Sequence, residues 1–203
     1  MYDNNSTKVV IGPVRLSYVN VIKPRPVNAG EEPRYSATLI IPKDNAEMIN
    51  KIKVAINNAY NAATATFGGK LPPINTIKLP VRDGDAERPD DEAMAGSLFI
   101  NTSSKLKPGV LKFAANGEKV PVTSEDDIYS GCYGYVSVNF FAYNRNGNKG
   151  ISAGLNNVLV TERGDYLGGR SSAESDFNDI QAPAASGSIF DCRLPIISPT
   201  DEF

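Results

Sequence analysis

Two stretches of this chain gather residues that could do chemistry. The first, Arg82 to Glu92 (RDGDAERPDDE), sets Asp83, Asp85, Glu87, Asp90, Asp91 and Glu92 against two arginines. Carboxylates at such density can hold magnesium for phosphoryl transfer. Two-metal sites draw their carboxylates from separate rigid elements, however, and these six share one segment with Gly84 and Pro89. A calcium loop starting at Asp83 also fails, because its sixth position is Arg88 where glycine is needed and its twelfth is Met94 where glutamate is needed. Gly68-Gly69-Lys70 lacks the spacing of a phosphate loop. The chain has no histidine, which removes the serine–histidine–aspartate triad, the cysteine–histidine pair and histidine-ligated metals. Its two cysteines, Cys132 and Cys192, form no CxxC and read as free thiols that pack as small apolar residues. The expectation is a non-enzymatic protein with no cofactor and no metal; a metal-dependent nuclease built on the acidic segment is the catalytic alternative.

The second stretch is Cys132 to Asn144 (CYGYVSVNFFAYN). Read as a strand, it alternates: Val136, Val138, Phe140 and Ala142 share one face and supply core. The other face carries Tyr133, Tyr135, Ser137, Asn139, Phe141 and Tyr143. Four aromatics with two small polar residues make a poor surface for water and a good platform for stacked bases, each worth about 1–3 kcal/mol whatever its identity. Periodicity equally allows this face to be covered by a helix, and Phe141 is then the first of the four to join the core.

Basic residues flank the same region in sequence. Arg145 and Lys149 bracket a turn, Lys105, Lys107 and Lys112 flank the preceding strands, and Lys23, Arg25 and Arg34 surround a proline-rich stretch. Long cationic side chains on loops at a barrel rim could track a phosphate backbone. At the far end, SPTDEF puts Asp201, Glu202 and the terminal carboxylate beside Phe203. An aromatic on an acidic end can insert into a cation-rimmed pocket of a protein partner, or the end can occupy the chain's own basic groove.

The elements that must position these residues are mostly strands. Val9 to Val21 (VVIGPVRLSYVNV) reads as one long strand bent at Gly12-Pro13, followed by a loop, KPRPVNAGEEP. Arg34 to Ile41 alternates and ends at Pro42. One helix follows, with Asp44 as cap and Glu47 three residues on; Ile49, Ile52, Ile56, Ala59 and Ala63 form its packing stripe and Gly68-Gly69 its stop. Leu71 to Arg82 is proline-punctuated and extended. Ser97 to Ser104 reads as a strand, Asn116-Gly117 joins two short strands, and Asn146-Gly147 joins the aromatic strand to another from Lys149 to Thr161. The fold class expected is mainly β with one substantial helix, an OB-like antiparallel barrel with an inserted helix.

Of the 203 residues, 41% are apolar, enough for one domain with a core. The net charge of −2 hides an asymmetry. Residues 171–203 carry six acids against Arg193 alone, a net of −5, and leave residues 1–170 at +3. The acidic segment lowers that figure too; without it the body stands at +7. Residues 1–170 therefore read as the folded domain and 171–203 as a flexible acidic tail. No stretch resembles a signal peptide or a membrane span, and unclustered cysteines fit a reducing cytoplasm. An uncovered strand edge could support a homodimer.

Several segments carry a resemblance. LPVRDGD, IYSGCYGYVSVNFFAYN, GNKGISAGLNNV and LGGRSSAESDF resemble a phage family, once known only as a domain of unknown function, related to helix-destabilising single-stranded DNA-binding proteins. The likeness covers roughly residues 9–180, and SPTDEF is similar to the acidic, phenylalanine-terminated tails of such proteins. It implies an OB-fold, sequence-independent binding of single-stranded DNA in the cytoplasm of a host bacterium, and a role in phage replication or recombination. It also implies tail contacts with replication or recombination proteins. A phage structural or scaffolding protein is the remaining alternative.

Overall fold

The computed structural model describes residues 6–26 and 30–168. In chain order its elements are β1 (Lys8–Arg25), β2 (Arg34–Pro42), α1 (Ala46–Asn61), β3 (Val81–Asp83), the single-turn α2 (Gly84–Glu87), β4 (Ser97–Ser104), β5 (Gly109–Phe113), β6 (Lys119–Pro121), β7 (Tyr133–Arg145) and β8 (Asn148–Glu162). The strands lie in the order β3-β4-β2-β1-β7-β8-β5-β6, and an added pairing of β4 with β8 closes β1, β2, β4, β8 and β7 into a five-stranded barrel. That closing contact is parallel and short, Thr102 opposite Ala153 and Ser103 opposite Gly154.

β1 makes the barrel possible because it serves two partners. Lys8 to Arg15 pair with β7, and Arg15 to Arg25 pair with β2. The sequence places the end of this strand at Val21, but β1 runs on through Pro24 to Arg25. Proline is tolerated there because the β1–β2 register is interrupted between Asn20 and Arg25, so no regular ladder bond is lost.

Side chains alternate as the pattern requires. Ile11, Leu16, Leu39, Val136, Val138 and Phe140 point inward and are fully buried. Helix α1 plugs the barrel with Met48, Ile52, Ala55, Ile56 and Ala59, which join the same apolar cluster as Val136, Val138 and Phe140. The helix therefore covers the inner face of β7, and the aromatic face is left outside.

Two boundaries of α1 differ from the sequence reading. Asn45, not Asp44, caps it: the Asn45 side chain accepts from the Met48 N–H at 3.1 Å, and Glu47 instead pairs with Lys51 one turn on. The helix also ends at Asn61, before the glycines. Turns then carry the chain past buried Phe67 to Gly68 and Gly69, whose positive φ values let it reverse. No described helix is long and apolar enough to cross a membrane.

Candidate nucleic-acid interface

On the outer face of β7 the four aromatics are graded in exposure. Tyr135 and Phe141 are 38% and 46% exposed, whereas Tyr133 and Tyr143 are half-buried. Phe141, the first candidate for the core on sequence grounds, is thus among the open ones. All four lie against glycines. A Cβ added at Gly12 would sit 2.8 Å from the Tyr135 ring, at Gly164 2.8 Å from Tyr133, at Gly150 2.7 Å from the Tyr143 hydroxyl and at Gly154 3.4 Å from Phe141. The glycines that interrupt β8 in sequence are therefore seats for rings on the neighbouring strand, which hold the aromatic faces flat on the sheet. Exposed Val10, opposite Ser137, lies on the same face.

A second surface lies further round the barrel, where β1, β2 and β4 turn their outer faces to solvent. There a groove of about 620 Å³ is lined by Tyr18, Asn20, Arg25, Thr38, Arg88 and Asn101, among others. Its floor is made of short polar side chains paired with one another: Thr38 donates to Asn101 at 2.8 Å and Asn20 to Ser36 at 3.3 Å.

A strap separates the two surfaces. Beyond β8 the chain crosses the barrel over four consecutive strands. Gly164 lies against Tyr133, the Asp165 carbonyl accepts from Arg15 at 3.0 Å, and Leu167 packs on Ile40, Met94 and Phe99. Tyr166 stacks on Tyr129 at 4.0 Å between ring centroids. The strap runs past half-buried Tyr133 at one end of the aromatic row.

The basic residues divide accordingly. Arg25 lines the groove, and Arg34 faces it across the β1–β2 register. Lys105, at the adjoining end of β4, is paired with Glu32 at 2.5 Å, and Lys23 is held loosely by Glu125 at 3.6 Å. Lys107 is exposed in the same turn. Arg145 is exposed at the far tip of the β7–β8 hairpin, and Lys149 there donates to the Phe67 carbonyl at 3.4 Å. Lys112 sits apart on β5, tied to Asp127 at 2.6 Å. Asp201, Glu202 and Phe203 lie outside the described residues. Sequence reasoning missed Tyr18 and Arg88: Tyr18 is hidden inside a β-branched run, and Arg88 inside a segment read for its acids.

That acidic segment is built as structure. Lys43 bridges Asp83 and Asp85, each at 2.6 Å. Arg82 pairs with Glu87, Asp85 also accepts from the Gly96 N–H at 2.8 Å, and Asp91 caps the short turn at Glu92–Met94. The Lys43 ammonium holds the Asp83 and Asp85 carboxyls below the ordinary aspartate range, and they in turn raise Lys43. Among the described residues no group of three potential ligands is placed to hold a metal ion. Cys132 is buried in the barrel wall, and burial pushes its thiol up.

A closed five-stranded barrel in this strand order, with a parallel closing pair, is an OB-like barrel. The chain belongs to the family described as the Enterobacter phage Enc34 ssDNA-binding protein, which it matches over residues 7–186. It is 31% identical over 182 residues to protein p50 of Acyrthosiphon pisum secondary endosymbiont phage 1, a match covering 85% of this chain and 94% of that protein. Among solved structures it is similar to the single-stranded DNA-binding protein of bacteriophage Enc34 in complex with ssDNA, with 26% identity and a TM-score of 0.68 over 83% of this chain and 96% of that one. A likeness of fold alone extends to gp2.5, the single-stranded DNA-binding protein of bacteriophage T7, at 16% identity and a TM-score of 0.52 over 89% of this chain and 98% of that one.

Two tests follow from this geometry. Gly150→Ala puts a methyl 2.6 Å from the Lys78 carbonyl and into Tyr143, whereas Gly154→Ala meets Phe141 at ordinary contact distance. Urea unfolding is expected to show a loss of about 1–3 kcal/mol for the first and under about 1 kcal/mol for the second; equal losses would refute the seating of the rings. In a carboxyl-carbon NMR titration, Asp83 and Asp85 are expected to titrate below 3.8, and both midpoints to rise in Lys43→Met. Because these folded-state values are depressed, the stabilisation from the bridge is present above the unfolded-state value and lost as pH falls through the folded ones. Midpoints that do not move in Lys43→Met would refute the bridge.

Proposed function

We propose that this chain binds single-stranded DNA without regard to sequence, in phage DNA replication or recombination within the host cytoplasm. The observation that carries the reading is the likeness, over 83% of this chain and 96% of the other, to an Enc34 protein solved in complex with ssDNA. The surfaces described above fit that ligand. Exposed Tyr135 and Phe141, with Tyr143 and Tyr133 at either end of the row, offer faces on which unstacked bases can lie. Arg25 in the groove, Arg34 across the register from it, and Lys105, Lys107 and Lys23 are proposed to meet phosphates, as are Arg145 and Lys149 at the far end of the aromatic row and Lys112 as an outlying contact. Bases are free to stack on protein only in single strands, so binding pulls a duplex toward melting by mass action. The nuclease alternative is disfavoured by the use of Asp83, Asp85 and Glu87 in ion pairs.

The acidic end is proposed to serve two purposes, competing with DNA for the basic groove and recruiting replication proteins through Phe203. Titration of a fluorescent oligo(dT) at several salt concentrations is the test, with a duplex of equal length beside it. Tight binding to the single strand, weaker binding to the duplex and a log–log salt slope of about −0.7 per phosphate contacted are expected. No binding at low salt would overturn the function. Deleting residues 198–203 is expected to tighten binding at low salt, and weaker binding would contradict the competition. Removing Phe203 alone is expected to spare DNA affinity and abolish co-purification of a replication protein; retained capture would dismiss recruitment through that residue.

A further inference from the structure

One of the register shifts in the barrel wall lies beside the groove. Between Ser17 and Asn20 the β1–β2 register slips: three residues of β1 span what two residues of β2 span, from Thr38 to Ser36. Tyr18 sits in this bulge at φ +48, the left-handed region that bulky side chains rarely enter, and is 52% exposed. Bulges re-aim side chains, and persistent backbone strain collects where the surrounding structure has a use for it. Here the result is a tyrosine turned out of the sheet to line the groove.

Arg88 meets it there. Its guanidinium carbon lies 5.4 Å from the Tyr18 ring centroid and 5.9 Å from that of Phe99, and Nη1 donates to the Tyr18 hydroxyl at 3.1 Å. The neighbouring Arg82 lies over Phe99 at 5.0 Å and is bound to Glu87. Arg88, by contrast, has no carboxylate partner among the described residues. Its loop is fixed from behind by Lys43 through Asp83 and Asp85. The acidic segment thus delivers onto the wall of a groove with a floor of short polar side chains an arginine that has no ion pair among the described residues. Asp90, Asp91 and Glu92 line a neighbouring pocket that Tyr18 shares.

We propose that Tyr18 and Arg88 form a nucleobase-binding slot in the β1–β2–β4 groove, in which a base of a single-stranded nucleic acid stacks on Tyr18 while Arg88 steadies the ring and offers its remaining donors to the adjoining phosphate. This rests on the single-strand-binding reading above and adds a site separate from the aromatic row of β7. An exposed planar ring with a guanidinium against it suits any base, because every base has a π-face. The groove's small side chains leave room for that ring, and Arg25 continues the positive charge along it.

The test compares two probes, oligo(dT) and an abasic deoxyribose-phosphate oligomer of equal length, by fluorescence anisotropy. Tyr18→Gly removes the ring, and glycine takes φ +48 without strain. It is expected to weaken oligo(dT) binding about tenfold, within the range that stacking of one base supplies, to leave abasic affinity within about twofold, and not to lower Tm. Arg88→Ala, on an exposed loop, is expected to weaken both probes, and Arg88→Lys to restore the abasic probe more fully than oligo(dT), since lysine keeps the charge without the planar group. Oligo(dT) affinity within about twofold of wild type in Tyr18→Gly overturns the slot, as does an equal loss on both probes or a loss that tracks a fall in Tm. Wild-type chain that binds no oligo(dT) at low salt overturns the parent reading and the slot with it, whereas tight wild-type binding with unaffected variants overturns the slot alone.

Discussion

The architecture depends on β1 holding two partners at once. Its first half is zipped to β7 and its second half to β2, with Ile11, Val14 and Leu16 turned inward across the changeover and almost wholly buried. A strand that changes partner midway must coil, and the coil brings β4 near enough to β8 for two residue pairs to close the ring. Helix α1 then fills one end and completes the apolar interior, while Ile40 and Phe99, on the outer side of β2 and β4, form a second apolar cluster under Met94 and Leu167. The outer face is a single curved surface on which the strap, the aromatic row and the groove are laid out by register.

Much of this is legible in the residues. The alternation of Cys132–Asn144 correctly separates Val136, Val138 and Phe140 from the outward aromatics, because a two-residue period survives any tertiary setting in which one face is buried. Asn146-Gly147 and Asn116-Gly117 mark their reversals for a similarly local reason, a backbone that must turn within a few residues. Pairing between distant strands is not local. Nothing in Leu167 announces that it will cover Phe99 and Ile40, and nothing in LSYVNV announces that Tyr18 falls on a bulge. Phe141 misleads for a related reason: its burial depends on what lies over it, which periodicity does not specify. The groove, assembled from β1, β2, β4 and a loop, therefore has no contiguous sequence signature at all.

The acidic segment shows how charge density can be mistaken for reactivity. Six carboxylates in eleven residues suggest a cation site, yet Asp83, Asp85, Glu87 and Asp91 are partnered by Lys43, Arg82 and backbone N–H groups, and the segment wraps into two short helical turns. Asp83 and Asp91, each capping one of these turns, satisfy N–H donors that would otherwise go unpaired. The net-negative loop thereby becomes the mount for a cationic residue, Arg88, on the wall of the groove.

That mount has a thermodynamic corollary. Lys43 and its two aspartates are partly exposed, so their attraction is screened as ionic strength rises. Added salt therefore slackens the support behind Arg88, and the order of this loop is itself a function of ionic strength.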